Sequence, residues 1–209
     1  VHVSLLGVNL GLDFVLVGLH GIKRLAFRGV RHLERLVEQG QVVVGGGKGM
    51  GEAIAREMKK RNYRLSLMSP SENCENLADE LNGIAYRGRA ENSRDTDNLI
   101  KFTVEKFGRI DSLLIHVGGP PKGDLLEISE DDWKKANEMV LMPVIRLSKL
   151  ITPIMQSQGG GSIVNITTFS VFEPSLMFPT SCVYRVGVSS YTKLYSDRYG
   201  PDNIRMNCL

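Results

Sequence analysis

From residue 42 the chain reads Val42-Val43-Val44-Gly45-Gly46-Gly47-Lys48-Gly49-Met50-Gly51-Glu52-Ala53-Ile54-Ala55, and no other stretch restricts the fold as much. Three β-branched residues predict a short buried strand. The glycines at 45, 46, 47, 49 and 51 predict a turn nearly free of side chains, and residues 52–60 predict a helix. A phosphate reaches backbone N–H groups closely only where no Cβ intervenes, and a following helix offers unpaired N–H donors at the positive end of its dipole. Strand, glycine loop and helix together therefore suit a pyrophosphate, whereas a merely flexible turn would be written in the same letters.

The alternation continues downstream. Strands are predicted at 64–69, 84–87, 110–117, 162–166 and 203–208, and helices at 72–81, 95–107, from Ser129 across Pro143 to about Gln158, and at 181–199. Ser129 is a good N-cap before the acidic turn Glu130-Asp131-Asp132. A β-α-β-α order implies right-handed crossovers and a doubly wound parallel sheet with helices on both faces. Ligand then sits at the carboxyl ends of the strands, near the point where strand order reverses.

At 209 residues the length suits one α/β domain. A net charge of +3 with 23% charged residues gives no reason to expect a nucleic-acid partner. Cys74, Cys182 and Cys208 are widely spaced and odd in number, with no Cys-x-x-Cys pair for a metal, which points to a reducing, cytoplasmic compartment. Residues 1–40 form an atypical N-terminal segment: 3–19 is largely apolar and is followed by Lys23, Arg24, Arg28 and Arg31. Its glycines and Asp13 argue against a membrane span, because a charge in the bilayer core costs roughly 2.5–3.5 kcal/mol even on mild scales. Both ends read as those of a fragment, the chain beginning at Val1 and stopping at Leu209 just after a strand.

The spacing Gly45-x-x-x-Gly49-x-Gly51 resembles the Thr-Gly-x-x-x-Gly-x-Gly loop of the short-chain dehydrogenase/reductase family, with Val44 in place of threonine. Three further phrases match in order: Phe107-Gly108-Arg109-Ile110-Asp111, Gly160-Gly161-Ser162-Ile163-Val164-Asn165-Ile166 and Gly200-Pro201-Asp202-Asn203-Ile204-Arg205-Met206-Asn207. The resemblance covers residues 41–209 and implies a Rossmann-like dinucleotide-binding domain that lacks the family's usual C-terminal seventh strand. It also implies an NAD(P)(H)-dependent oxidoreductase acting on a small carbonyl or alcohol, similar to the 3-oxoacyl-carrier-protein reductases, and a homo-oligomer. The alternative is a catalytically impaired binding protein of the same fold.

For the cofactor, the resemblance implies contacts from Gly45, Gly47, Lys48, Gly49, Met50, Gly51, Ser69 and Gly118. The second strand ends in Ser69-Pro70-Ser71, without the acid that would hold a ribose 2′-hydroxyl, and Lys48 stands where NADP-preferring members carry a base. NADP is therefore favoured, with NAD as the alternative. Arg89 replaces the aspartate that usually meets adenine, and Ile115-His116-Val117-Gly118 replaces Asn-Asn-Ala-Gly; His116 would face the nicotinamide side.

The family's catalytic tyrosine and lysine positions fall on Ser181 and Arg185, its serine on Thr168 and its asparagine on Val140. An aliphatic hydroxyl is a far weaker acid than a phenol, whose pKa is about 10. Arg185 can hold ribose hydroxyls and cannot relay a proton. Tyr184, three residues beyond Ser181, is the candidate substitute donor, or else a packing residue. Tyr191 and Tyr195 read as packing or interface residues.

Overall fold

In the computed structural model residues 39–209 are described; the expectations for residues 1–38, the apolar N-terminal run among them, lie outside the described residues. Six strands form one sheet: β1 (Gly40–Val44), β2 (Arg64–Ser69), β3 (Ile84–Arg87), β4 (Ser112–Ile115), β5 (Gly161–Asn165) and β6 (Ile204–Cys208). Their order is β3-β2-β1-β4-β5-β6 and every neighbouring pair is parallel. The order reverses between β1 and β4, whose pairing aligns Val44 with Ile115, so the carboxyl ends of these two strands open side by side.

Among the described residues five α-helices cover the sheet: α1 (Gly49–Lys60), α2 (Asn73–Glu80), α3 (Ser93–Phe107), α4 (Glu130–Ser157) and α5 (Pro179–Tyr199). Successive strand residues face opposite sides, and β1 divides accordingly. Val42 and Val44 join a core with Leu99, Leu147, Ile151 and Val188 from α3, α4 and α5, while Val43 joins a second core with Ala55, Leu77 and Ala78 from α1 and α2. Both faces are covered, so the central strands β1 and β4 are largely apolar, as a buried parallel sheet requires, whereas β6 at the edge alternates buried Ile204 and Met206 with exposed Arg205 and Asn207.

The helix ends follow local chemistry. Asn92 Oδ1 accepts from Arg94 N at 2.9 Å to cap α3, which closes at Gly108 with φ of 73°. Ser129 Oγ accepts from Asp132 N at 3.1 Å to cap α4. Tyr191 and Tyr195 pack between helices: their hydroxyls bond Ser148 and Thr152 of α4 at 2.7 and 2.5 Å.

Several boundaries differ from the sequence expectation. Helix α1 begins at Gly49, inside the glycine loop, and not at Glu52; β4 is confined to residues 112–115; the loop after β5 contains a 3-10 turn at Phe169–Val171; and α5 starts at Pro179, two residues early. Proline at the first helical position needs no N–H bond and has φ preset for a helix, which accounts for the last. No helix of the described residues is long and apolar enough to cross a membrane.

Candidate active site

The glycine loop leaves β1 with Gly45 at φ of 78°. A Cβ on Gly45 would collide with the carbonyl of His116, one on Gly51 with the carbonyl of Gly45, and one on Gly47 with the Ser69 hydroxyl. Glycine is thus dictated by close backbone approach. The Gly45 and Gly46 N–H groups donate to the Met68 carbonyl at 2.8 and 3.0 Å, which pins the loop to the end of β2. Lys48, the N-cap of α1, is extended, and no side chain caps this helix. In contrast to α3 and α4, the first-turn N–H groups of Gly49, Met50 and Gly51 keep their donors free of side-chain acceptors, at the positive end of the helix dipole. A Cβ on Gly49 would meet nothing within 4 Å, so this helix start opens outward, and the cradle of its bare amides fits a dinucleotide's pyrophosphate. Lys48 and Met50 are exposed beside it, and Ser69 is buried against it.

Next to the cradle, β4 delivers His116 and Gly118. Gly118 is exposed, and a Cβ there would meet nothing within 4 Å. His116 is half-buried. Its pKa is held below the ordinary value, first by burial and then by the charge of Arg185.

Beyond Gly118 opens a cavity of about 320 Å³. Thr168, Ser181 and Arg185 line it together, so three of the four candidate catalytic residues converge. Arg185 is buried at 9% exposure and has no acidic partner among the described residues. Its Nε donates to Ser181 Oγ at 3.1 Å and its Nη1 to the Ile166 carbonyl at 2.7 Å. Burial pulls its pKa down from the ordinary guanidinium value, yet it stays cationic. Thr168 sits before the 3-10 turn and accepts from Ser170 N at 3.5 Å. Two hydroxyls and a guanidinium on one wall can polarise and orient a carbonyl oxygen.

Tyr184 is not part of this wall. Its ring meets Trp133 of α4 edge-on, with centroids 6.0 Å apart, and packs against the larger core. Val140, at the asparagine position, is fully buried in the same core. Arg89 is exposed, with its side chain on Glu91 and its N–H on Asp95. Sequence reasoning missed Lys122, Phe178 and Thr180, which also line the cavity. Thr180 Oγ1 donates to the Pro121 carbonyl, tying the loop after β4 to the start of α5. The Gly118-Gly119-Pro120-Pro121 run that carries Lys122 was the available clue.

These features define a Rossmann-like α/β domain with a cavity at its switch point. A family model described as short chain dehydrogenase matches residues 40–209, and the chain belongs to that family, as an oxidoreductase of the short-chain dehydrogenase type. It is 27% identical over 196 residues to dehydrogenase/reductase SDR family member 4 of Pongo abelii, a match spanning 89% of this chain and 69% of that protein. Among solved structures it resembles a 7 alpha-hydroxysteroid dehydrogenase complexed with NADH and 7-oxo glycochenodeoxycholic acid, with a TM-score of 0.78 and 22% identity, over 82% of this chain and 70% of that one. It also resembles the L-sorbose reductase of Gluconobacter frateurii complexed with NADPH and L-sorbose, with a TM-score of 0.77 and 22% identity, over 82% and 68%.

Proposed function

We propose that residues 41–209 form a nicotinamide-dependent carbonyl reductase or alcohol dehydrogenase unit for a small-molecule substrate, of the 3-oxoacyl-carrier-protein reductase-like kind with an altered catalytic set. The observation that carries this reading is the uncapped glycine cradle at the switch point, directly beside a cavity lined by Thr168, Ser181 and Arg185. The amides of the loop from Gly45 to Gly51 would hold the pyrophosphate, with Ser69 and Gly118 flanking the two ends of the dinucleotide. The bound nicotinamide would supply or accept the hydride. Thr168 and Ser181 would orient the substrate oxygen, and the Arg185 guanidinium would stabilise negative charge developing there or hold ribose hydroxyls. Exposed Lys48 supports NADP over NAD.

A second reading, cofactor binding without turnover, is favoured by one observation: among the described residues no phenol lines the cavity with Ser181, and Arg185 cannot pass on a proton. Val183, Val186 and Leu194 leave exposed apolar positions on α5, which supports a homo-oligomer, and three free cysteines support a reducing cytoplasm.

Thermal melting with NADPH, NADH or neither tests the reading. At a hundredfold excess over Kd, a ligand specific to the folded state stabilises by about 2.7 kcal/mol, and the larger shift is expected with NADPH. No shift with either cofactor overturns the proposal. NADPH oxidation with a generic diketone then separates turnover from binding alone.

A further inference from the structure

The cavity's charge is one-sided. Arg185 and Lys122 both line it, and no carboxylate among the described residues does. Neither cation is neutralised by an acid in the described structure. Arg185 spends its bonds on a hydroxyl and a carbonyl, and the Lys122 ammonium rests 4.7 Å from the centre of the Phe178 ring. The nearest acid in sequence, Asp124, accepts from the N–H of Leu126 at 3.2 Å instead. A wall of uncompensated positive charge attracts anions and repels cations.

The same wall is apolar elsewhere. Pro120, Phe169 and Phe178 line it, and Phe169 stays 69% exposed although it is a large hydrophobe. Lys122 is itself exposed and held near α5 by the bond from Thr180 to the Pro121 carbonyl. A ligand that satisfies both kinds of surface carries an apolar body and an acid.

We propose that the substrate class of this cavity is amphipathic organic acids, with the acid group received by Lys122 and the apolar body by Phe169 and Phe178, while the reacting oxygen lies toward Thr168 and Ser181. Arg185 belongs to the reacting end and Lys122 to recognition, since of these two cations Lys122 is exposed and Arg185 is buried. This rests on the oxidoreductase reading above, because it assigns the substrate of that site.

The test is a binding comparison on the full chain saturated with NADPH, by calorimetric titration with decanoate, methyl decanoate and decyltrimethylammonium. Decanoate is expected to bind about tenfold or more tightly than the ester, the range for a charge-assisted hydrogen bond, with the cation weakest of the three. Lys122→Met should bring the acid down to the affinity of the ester, and Lys122→Arg should restore the preference. Lys122 is exposed, so these variants fold, and unchanged melting temperatures check that they do. Equal affinity for acid and ester, undetectable binding of the acid, or an acid preference that survives Lys122→Met overturns the inference. If NADPH stabilises the protein while acid and ester bind alike, the substrate assignment alone fails. If no cofactor stabilises it, the oxidoreductase reading fails and this assignment with it.

Discussion

Arg185 Nε donates to Ser181 Oγ at 3.1 Å across one turn of α5, so two of the candidate catalytic residues are bonded to each other inside the cavity wall. Their partnership ties the cation to a hydroxyl and to the Ile166 carbonyl, with no acid among the described residues to neutralise it. A buried cation without a carboxylate costs stability. Retaining one at the end of a cavity is reasonable when its charge serves a ligand.

That balance predicts how Arg185→Met behaves. Two hydrogen bonds are lost at about 1 kcal/mol each, and the desolvated charge is removed, so the two effects offset. The melting temperature should stay within roughly 4 °C of the parent, the shift expected for about 1 kcal/mol or a little more in a domain of this size. NADPH-dependent turnover of a diketone should fall by about 10²–10³, the loss seen when a donor to a developing oxyanion is removed. A large melting loss would instead make Arg185 structural.

Tyr184 faces Trp133 and not the cavity, so its hydroxyl is dispensable for chemistry. Tyr184→Phe should leave turnover within about twofold of the parent, since no interaction made only in the transition state is removed. Trp133→Leu should cost stability, with about 0.5–1.5 kcal/mol from the edge-on aromatic contact beyond the lost area. Denaturant melts and steady-state kinetics check both. A hundredfold loss in Tyr184→Phe would make Tyr184 the proton donor.

The two ends of the groove proposed for the dinucleotide separate folding from binding. Gly45→Ala places a side chain at positive φ against the His116 carbonyl, and a loss of about 2–4 kcal/mol is expected from strain and collision together. Gly118→Val enters open space and should change stability by only about 0.5 kcal/mol, yet the stabilisation conferred by NADPH should largely vanish. Melting with and without NADPH reads both effects in one experiment.

The parts of this architecture legible in the sequence are those set by local chemistry. Val42, Val43 and Val44 announce a buried strand, which is found; the glycines announce a turn nearly free of side chains, and what the sequence did not show is that Gly45, Gly47 and Gly51 are also required by close approach of the protein's own atoms. The resemblance to the family pattern marked Ser181 and Arg185, and their i, i+4 spacing puts them on one face of α5. Features set by distant contacts were not legible. The direction of Tyr184 is decided by Trp133 on another helix. Lys122 meets Phe178 across two segments distant in sequence, which the bond from Thr180 to the Pro121 carbonyl also joins. The start of α1 at Gly49 was hidden because glycine disfavours helix locally, while the loop's attachment to Met68 sets the turn.

His116 supplies a pH dependence with a definite sign. Its pKa in the folded protein is depressed, by burial first and the Arg185 charge second, whereas in the unfolded chain it returns to about 6.5. As pH falls through about 6.5 the unfolded state takes up the proton first, so it binds more protons than the native state and stability declines. The full contribution is present above about pH 6.5 and is lost as pH drops toward the folded pKa. Melting temperature measured from about pH 8 to 5 should therefore fall more steeply for the parent than for His116→Asn. Arg185→Met removes the second cause and should raise the His116 pKa, which an NMR titration of the imidazole reads directly. An unchanged His116 titration in that variant would show that the two groups do not interact across the cleft.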